Sequence, residues 1–512
     1  MDAPATTPAL EGRRGRSLTV GLSLVFLVGV VWASLSGAGV FVLIVAFAAL
    51  AGVLVLRNPV IGILIYLVTF LFTYPEALKG SGNFTINNML GLMFLPLMLV
   101  GMLREGKVWM LRIRALVLIA AIGVISIASA TFYNPGDVTG GVTIEKVHKL
   151  RAQSGPTMIE MRDQRTKYMT RYAFLLFFVF FVRRPQDIRW VVAIIISCLL
   201  LTYLQVSVQE GPFGWGTGRL RVMGETGTGL YAGRNPNKLA YFALFCLTLL
   251  WYMRRAIKWR IFYPFWLLAV AIPVIIIPLT ASRSGLINLA LFFVIILFEG
   301  RFGYRKILGM AVLMLMFTVQ VGYQTSILGV LLPEQVASRL TDFNVKTEAL
   351  VEGQMAGGSA GRRLHNIVVS LTMAAKHPVL GVGLGNFTVE RAFTDPTGMT
   401  APPHNSYLMT LVEGGIISLV FQLVLFSGLF RALRRLESDY EARFGGVGLG
   451  WLVAAMRTTL IGFLVFSFFA DMFVHIFYHI VIGMCIVLIQ MHKVYAETGQ
   501  LPNAAMSPQP TA

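Results

Sequence analysis

The sequence predicts an all-α polytopic membrane protein with about fourteen (12–14) transmembrane helices. Of its 512 residues, 56% are hydrophobic and only 13% are charged, whereas soluble domains carry roughly 25% charged residues. Apolar runs of about 20 residues, the length that crosses a bilayer as a helix, recur from one end of the chain to the other. They lack the strict alternation of membrane β-barrel strands, so a bundle of helices is expected.

The predicted spans follow one another along the whole chain, with bounds at the ends of the apolar runs. They are 18–36, 38–56, 59–74, 84–103, 115–133, 168–182, 190–208, 237–253, 261–279, 284–299, 307–327, 405–430, 450–468 and 472–491. The first follows "EGRRGR" without a convincing signal-peptide cleavage site, so we expect it to be retained.

The loops between the spans predict their orientation, because cytoplasmic loops are enriched in Lys and Arg. Basic loops such as "RRPQDIR", "RRAIKWR" and "RALRRLESDYEAR" recur on one side only. Residues 1–17 and 492–512 are therefore predicted to be cytoplasmic tails. Between them lie a transmembrane region, 18–327, and C-terminal transmembrane helices, 405–491. This distribution explains the net charge of +19 without nucleic acid as a partner.

Three loops on the opposite face are much longer than the rest: 134–167, 209–236 and 328–404. Long loops in compact proteins usually carry function, so the chemistry is expected there. Within the last of them, "RRLHNIVVSLTMAAKHP" predicts a helix that Pro378 ends. Its apolar face would lie on the outer membrane surface or pack on the bundle, and it is formed by Leu364, Ile367, Val368, Leu371 and Ala375.

These long loops also carry arginines where the positive-inside bias does not require them. Arg221, Arg362 and Arg363 lie in the loops, and Arg283 in "LTASRSG" lies at the outer mouth of a span. Planar guanidinium groups suit phosphate oxygens, so an anionic ligand is one interpretation. The other is that translocated loops are indifferent to charge.

His404 lies in "APPHNSYLMTLVEGG", at the outer start of the span 405–430. The start of a helix disfavours a protonated imidazole, so a neutral side chain that can accept a proton is expected. A polar residue at a membrane boundary is the alternative interpretation. Glu413, inside the same span, is a functional candidate because ionisable residues in membrane helices usually serve a function.

Some chemistries are disfavoured by what the sequence lacks. It has no Asp-x-Asp, which argues against a transferase that holds a metal ion with loop carboxylates. It also has no P-loop and no G-x-S-x-G motif. No metal site and no cofactor are therefore predicted.

Three segments together resemble the signature of the O-antigen ligase and O-antigen polymerase superfamily. They are "LTASRSGL", "GRRLHNIVVSLTMAAKHPVLGVGLGNF" and "PHNSYLMTLVEGGIISL", in this order and separated by a large outer loop. The resemblance covers roughly residues 220–430. It implies a bacterial inner-membrane, metal-independent glycosyltransferase of the C-type fold, with a large periplasmic loop that contains helices. Such an enzyme acts on undecaprenyl-pyrophosphate glycans at the periplasmic face.

The resemblance also implies roles for individual residues. His404 would be the catalytic base that deprotonates an acceptor sugar hydroxyl, and Asn405 and Glu413 would support it. The arginines that would bind the pyrophosphate are Arg283, Arg363, Arg221 and Arg362.

The first interpretation of the activity is polymerisation of exopolysaccharide or O-antigen repeat units, with an acceptor glycan as second substrate. Ligation to lipid A-core and protein O-glycosylation are the alternatives within the family. A lipid-linked sugar transporter and a non-catalytic export partner are more distant alternatives. Expected partners are the lipid bilayer and polysaccharide export or chain-length proteins.

Overall fold

The computed structural model describes residues 53, 56–73, 86–105, 113–132, 157–210, 229–230, 235–257, 259–280, 282–299, 359–394, 402–444 and 448–498. The chain divides into two compact units, Met1–Ile65 and Tyr66–Ala512, and the packing and the site described below belong to the second. Several predictions lie outside the described residues: the tail 1–17, the spans 18–36 and 307–327, Arg221, most of 38–56 and of the loops 134–167 and 209–236, and about half of the loop 328–404.

The described secondary structure is helical apart from one pair of two-residue strands. The helices are α1 (Pro59–Leu71), α2 (Ile86–Glu105), α3 (Arg114–Phe132), α4 (Thr157–Phe181), α5 (Pro185–Glu210), α6 (Pro236–Met253), α7 (Tyr263–Leu279), α8 (Arg283–Phe298), α9 (Ser359–Lys376), α10 (Phe387–Thr394), α11 (Ser406–Phe444), α12 (Gly450–Phe466) and α13 (Ile476–Thr498). Short 3-10 helices are Arg254–Ala256 and Arg260–Phe262. Strand β1 (Phe72–Thr73) pairs antiparallel with β2 (Gly229–Leu230).

Several of these helices have the length and composition of membrane spans. The longest apolar stretches are Arg114–Thr131, Pro185–Leu204, Arg260–Leu279, Ser406–Asp439 and Ile476–Val494, and shorter apolar helices accompany them. Each predicted span from 59–74 onward, except 307–327, overlaps a described helix. The chain is thus a multi-pass helical membrane protein, as predicted, while the total of about fourteen spans stays a prediction.

Two helices extend well beyond the spans predicted for them. α4 begins at Thr157, inside the predicted outer loop 134–167, and α11 continues to Phe444, past the end of the span 405–430. Hydropathy marks where a helix is apolar, whereas charged segments such as "EMRDQRTK" also form helix readily. The predicted span boundaries therefore mark where the apolar residues end, and the helices continue beyond them.

α6 lies at the centre of the bundle, in contact with α5, α7, α8 and α12. Its residues from Leu239 to Leu250 are all buried, because the helix is apolar on every side and packs against neighbours around its whole circumference. Tyr241 near its start contacts Phe466 at the end of α12 and Phe477 at the start of α13. The start of α6 is thereby held next to the turn between α12 and α13.

α11 is interrupted at Gly415, whose φ of 66° and ψ of −171° are not helical. Residues 377–386, here called the glycine segment, pair with the backbone at this break. Val382 N donates to Val412 O at 2.8 Å, and Ile416 N donates to Pro378 O at 2.9 Å. The glycine segment therefore supplies hydrogen bonds that an unbroken helix would make internally.

The same segment also joins α11 to α3. Leu384 N donates to Ser126 O at 2.8 Å, and Ser129 Oγ donates to Gly381 O at 2.7 Å. Gly383 has φ +89, and a Cβ on it would lie 2.1 Å from the Cα of Ala130. Only glycine permits this conformation and this backbone approach together.

α9 is the amphipathic helix predicted in the large outer loop, and it ends just before Pro378. Its buried side packs on α11 through Val369 and Met373, which join Met409 and Val412 in one apolar cluster. The face predicted from the sequence is turned away from the bundle: the side chains of Val368 and Leu371 are exposed. The helix therefore packs on the bundle through a different face from the predicted one, and contact of the predicted face with lipid stays a prediction.

Candidate active site

His404 lies two residues before the start of α11 and adopts φ +52, an unusual conformation for a residue other than glycine. Its side chain is 48% exposed, and its Nδ1 lies 3.3 Å from Oδ2 of Asp471. Asp471 lies in the turn between α12 and α13. The structure thus pairs the predicted base with a carboxylate that sequence analysis did not include in the site.

Ser406, the first residue of α11, fixes this turn beside His404. Its backbone N donates to Ser467 O at 2.8 Å, and its Oγ donates to Ala470 O at 2.7 Å. The same Oγ accepts from Met472 N at 2.7 Å. Bonds on both sides of Asp471 therefore hold its backbone against the start of α11.

Asn405 caps α11, which is a structural task. Its Oδ1 accepts from Tyr407 N at 3.0 Å and from Leu408 N at 3.1 Å. These are two of the backbone donors that a helix start leaves without partners. The amide of Asn405 therefore supports the site by fixing the helix start from which His404 projects.

A cavity of about 40 Å³ lies next to this pair, between α3, α4, α11 and α13. Asp471 and Glu413 both line it, together with Tyr168, Gln422 and Tyr478. Its volume suits a few water molecules, each of which needs about 10–15 Å³, and not a sugar. A ligand the size of a sugar would therefore have to lie outside this cavity.

Glu413 is buried and lies at the break in α11. Its Oε1 accepts from Gly385 N at 2.9 Å, which ties the carboxylate to the glycine segment. Asp471 reaches the same cavity, and its Oδ1 is buried with no hydrogen-bond partner among the described residues. No contact between Glu413 and His404 is seen among the described residues, and Glu413 and Asp471 line the same cavity.

Two arginines of α4 border the cavity region, and sequence analysis assigned neither to the site. Arg165 Nε donates to Leu384 O at 3.3 Å, and Arg171 donates to Val474 O in the turn that carries Asp471. Arg171 lies within a predicted span, and an ionisable residue in a membrane helix is itself a signal of function. That signal would have identified it.

Arg283 is the first residue of α8, which begins beside the start of α6. Ser282 caps α8 through Gly285 N at 3.1 Å and donates to Asn237 Oδ1 at 2.8 Å. α6, α8 and α11 therefore begin at the same end of the bundle, here called the His404 face. Lys238 of α6 also lies there, close enough to His475 to act on it electrostatically.

Arg362 and Arg363 are the fourth and fifth residues of α9, near its start. One turn later, Asn366 Nδ2 donates to Pro402 O at 3.4 Å, two residues before His404. The backbone thus carries both arginine positions to the neighbourhood of the histidine. Among the described residues, no three His, Cys, Asp or Glu side chains are grouped as they would be around a metal ion.

Comparison with known families supports the resemblance seen in the sequence. Residues 268–423 match the family model described as O-Antigen ligase. The matched range includes α8, α9 and His404, whereas Asp471 lies beyond it. A search of curated proteins finds no match.

Proposed function

Because residues 268–423 support membership of the O-antigen ligase superfamily, we propose that this chain is an inverting, metal-independent glycosyltransferase. It transfers a glycan from an undecaprenyl-pyrophosphate donor to an acceptor sugar hydroxyl, as a polymerase of exopolysaccharide or O-antigen repeat units. It works at the periplasmic face of the bacterial inner membrane, and the His404 face is the periplasmic one.

The pairing of His404 with Asp471 carries this proposal. With Nδ1 3.3 Å from a carboxylate oxygen, Asp471 would orient the imidazole and favour the tautomer that carries its proton on Nδ1. Nε2 then keeps its lone pair and accepts a proton from a bound hydroxyl. Asp471 stabilises the imidazolium that results, and the half-exposed ring remains accessible to substrate.

In the transfer step, Nε2 of His404 takes the proton of the acceptor hydroxyl as its oxygen attacks the anomeric carbon of the donor. A new C–O bond forms on one face of the sugar while the bond to the pyrophosphate oxygen breaks on the other. The anomeric configuration is therefore inverted. The pyrophosphate leaves with the electron pair of the broken bond, and its charge is spread over several oxygens.

Arginines at the His404 face stabilise this leaving group. We assign the task to Arg283 and Arg363, with Arg221 and Arg362 as further candidates. Guanidinium groups bind phosphate oxygens in pairs and stay protonated throughout, so they provide the stabilisation that a metal ion provides in other transferases. The positions of Arg283 and Arg363 support this assignment, because each lies at or near the start of a helix.

Purified protein in nanodiscs tests the proposal when supplied with a labelled undecaprenyl-pyrophosphate glycan. We expect polymer formation by the wild type, and a kcat lower on the order of 100-fold or more in His404→Ala, with donor affinity little changed. His492→Ala is a matched control, because its Nε2 also lies 3.3 Å from a carboxylate oxygen, that of Asp439.

Parallel reactions with different acceptors separate the alternatives. Transfer to a repeat-unit glycan identifies a polymerase. Transfer only to lipid A-core, or only to protein, identifies a ligase. Donor movement across a vesicle membrane without bond cleavage identifies a transporter. A normal kcat in His404→Ala means that the histidine is only a boundary residue, and the catalytic assignment is then wrong.

A further inference from the structure

A second cavity, of about 530 Å³, lies near the far end of α11. It is lined by Arg431, Arg434, Arg435, Glu437, Ser438 and Arg457. At about 1.5 Å per residue, Arg431 is roughly 40 Å along the helix from His404. This distance exceeds the roughly 30 Å of a bilayer's hydrocarbon core, so the cavity lies at the opposite end of the bundle.

One of the four arginines already has its counter-charges. Arg457 of α12 lies 2.8 Å from Glu299 Oε1 and 2.7 Å from Glu437 Oε2. Glu437, the only acidic residue of the cavity wall, is therefore engaged in an ion pair.

The remaining arginines form an uncompensated cationic group. Arg431, Arg434 and Arg435 follow one another at i, i+3 and i+4, which puts them on one face of α11. All three are exposed. In the part of the chain that the structure describes, no carboxylate pairs with any of them, and Arg431 Nε donates only to Ser427 O, at 3.1 Å.

An apolar stripe leads along α11 to this group. Ile416, Val420, Leu423 and Val424 are each between 45% and 48% exposed, and their spacing puts them on the face that continues to Arg431. Next to the stripe, the surface at Gly428 is open, since a Cβ there would meet nothing within 4 Å. The stripe is as long as a fatty acyl chain, at roughly 10–20 Å.

We propose that this cavity binds the phosphate headgroup of an anionic phospholipid, whose acyl chains lie along the stripe. Guanidinium groups match phosphate oxygens in charge and geometry. A soluble phosphate would make no use of the apolar stripe, whereas a lipid uses both features together. The site lies in the leaflet opposite the His404 face, and it does not rest on the proposed function.

Binding of fluorescent phosphatidylglycerol to the full chain in detergent tests this proposal, with phosphatidylcholine of the same acyl chains as the comparison lipid. We expect the wild type to prefer phosphatidylglycerol, and raised salt to weaken that preference. The double variant Arg434→Gln/Arg435→Gln should bind phosphatidylglycerol on the order of 30-fold more weakly, at about 1 kcal/mol per arginine.

The double variant Arg189→Gln/Arg260→Gln is the control, because it removes two exposed arginines outside the cavity. We expect it to bind phosphatidylglycerol as the wild type does. An equal loss in this control overturns the proposal in favour of a diffuse surface charge. Equal affinity of the wild type for the two lipids also overturns it, as does displacement of phosphatidylglycerol by inorganic phosphate at matched concentration.

Discussion

Replacing Gly383 with alanine tests whether backbone contact holds the glycine segment in the break of α11. At φ +89 the new Cβ would lie 2.1 Å from both N and Cα of Ala130. The left-handed conformation costs a residue with a Cβ about 1–2 kcal/mol. Overpacking against backbone, which no side-chain rotation relieves, costs about 1–3 kcal/mol more. Gly383→Ala should therefore lower the free energy of unfolding by about 2–5 kcal/mol.

Unfolding of the purified chain in mixed micelles of rising SDS fraction, followed by tryptophan fluorescence, measures this loss. Gly428→Ala is the matched control, because its Cβ would meet nothing within 4 Å and alanine favours a helix interior by about 1 kcal/mol over glycine. We expect the control to unfold at the wild-type SDS fraction or above it. If Gly383→Ala also unfolds there, the argument from backbone approach is wrong.

Three further predictions concern catalysis. Asp471→Asn should lower kcat on the order of 100-fold in the polymerisation assay, while Asp439→Asn leaves it unchanged; equal kcat in the two variants would contradict the role of the His404 pair. Arg283→Lys and Arg363→Lys should each lose most of the turnover, because an ammonium group cannot bind pyrophosphate in a bidentate manner, and wild-type turnover in both would exclude direct phosphate recognition. EDTA should leave turnover intact, and a loss that added Mg²⁺ restores would refute metal independence.

The helical membrane fold was predictable because it depends on runs of apolar residues, which any reader can locate in the sequence. His404 became the candidate base for a similar reason, since its motif is continuous in the chain. Asp471 was not, because it reaches His404 only through the bonds that Ser406 makes to the following turn. A contact between distant segments leaves no periodic signal in the sequence.

The glycines of residues 377–386 show the same limit. Nothing in the local sequence indicates that this segment completes an interrupted helix. The break itself requires Gly415, at which a Cβ would lie 2.0 Å from Val379 O. Gly415 is therefore required for a backbone contact with a segment about thirty-five residues earlier in the chain. Composition and periodicity do not reveal such a contact.

The break at Gly415 also divides α11 into two lengths that are anchored differently. Residues from Ser406 to Gly414 are bonded to the glycine segment and to the turn that holds Asp471. The longer remainder continues from them through a single non-helical residue. Helices tilt as bilayer thickness changes, and a joint of this kind absorbs such a tilt. We expect the joint at Gly415 to limit how far such a tilt displaces His404.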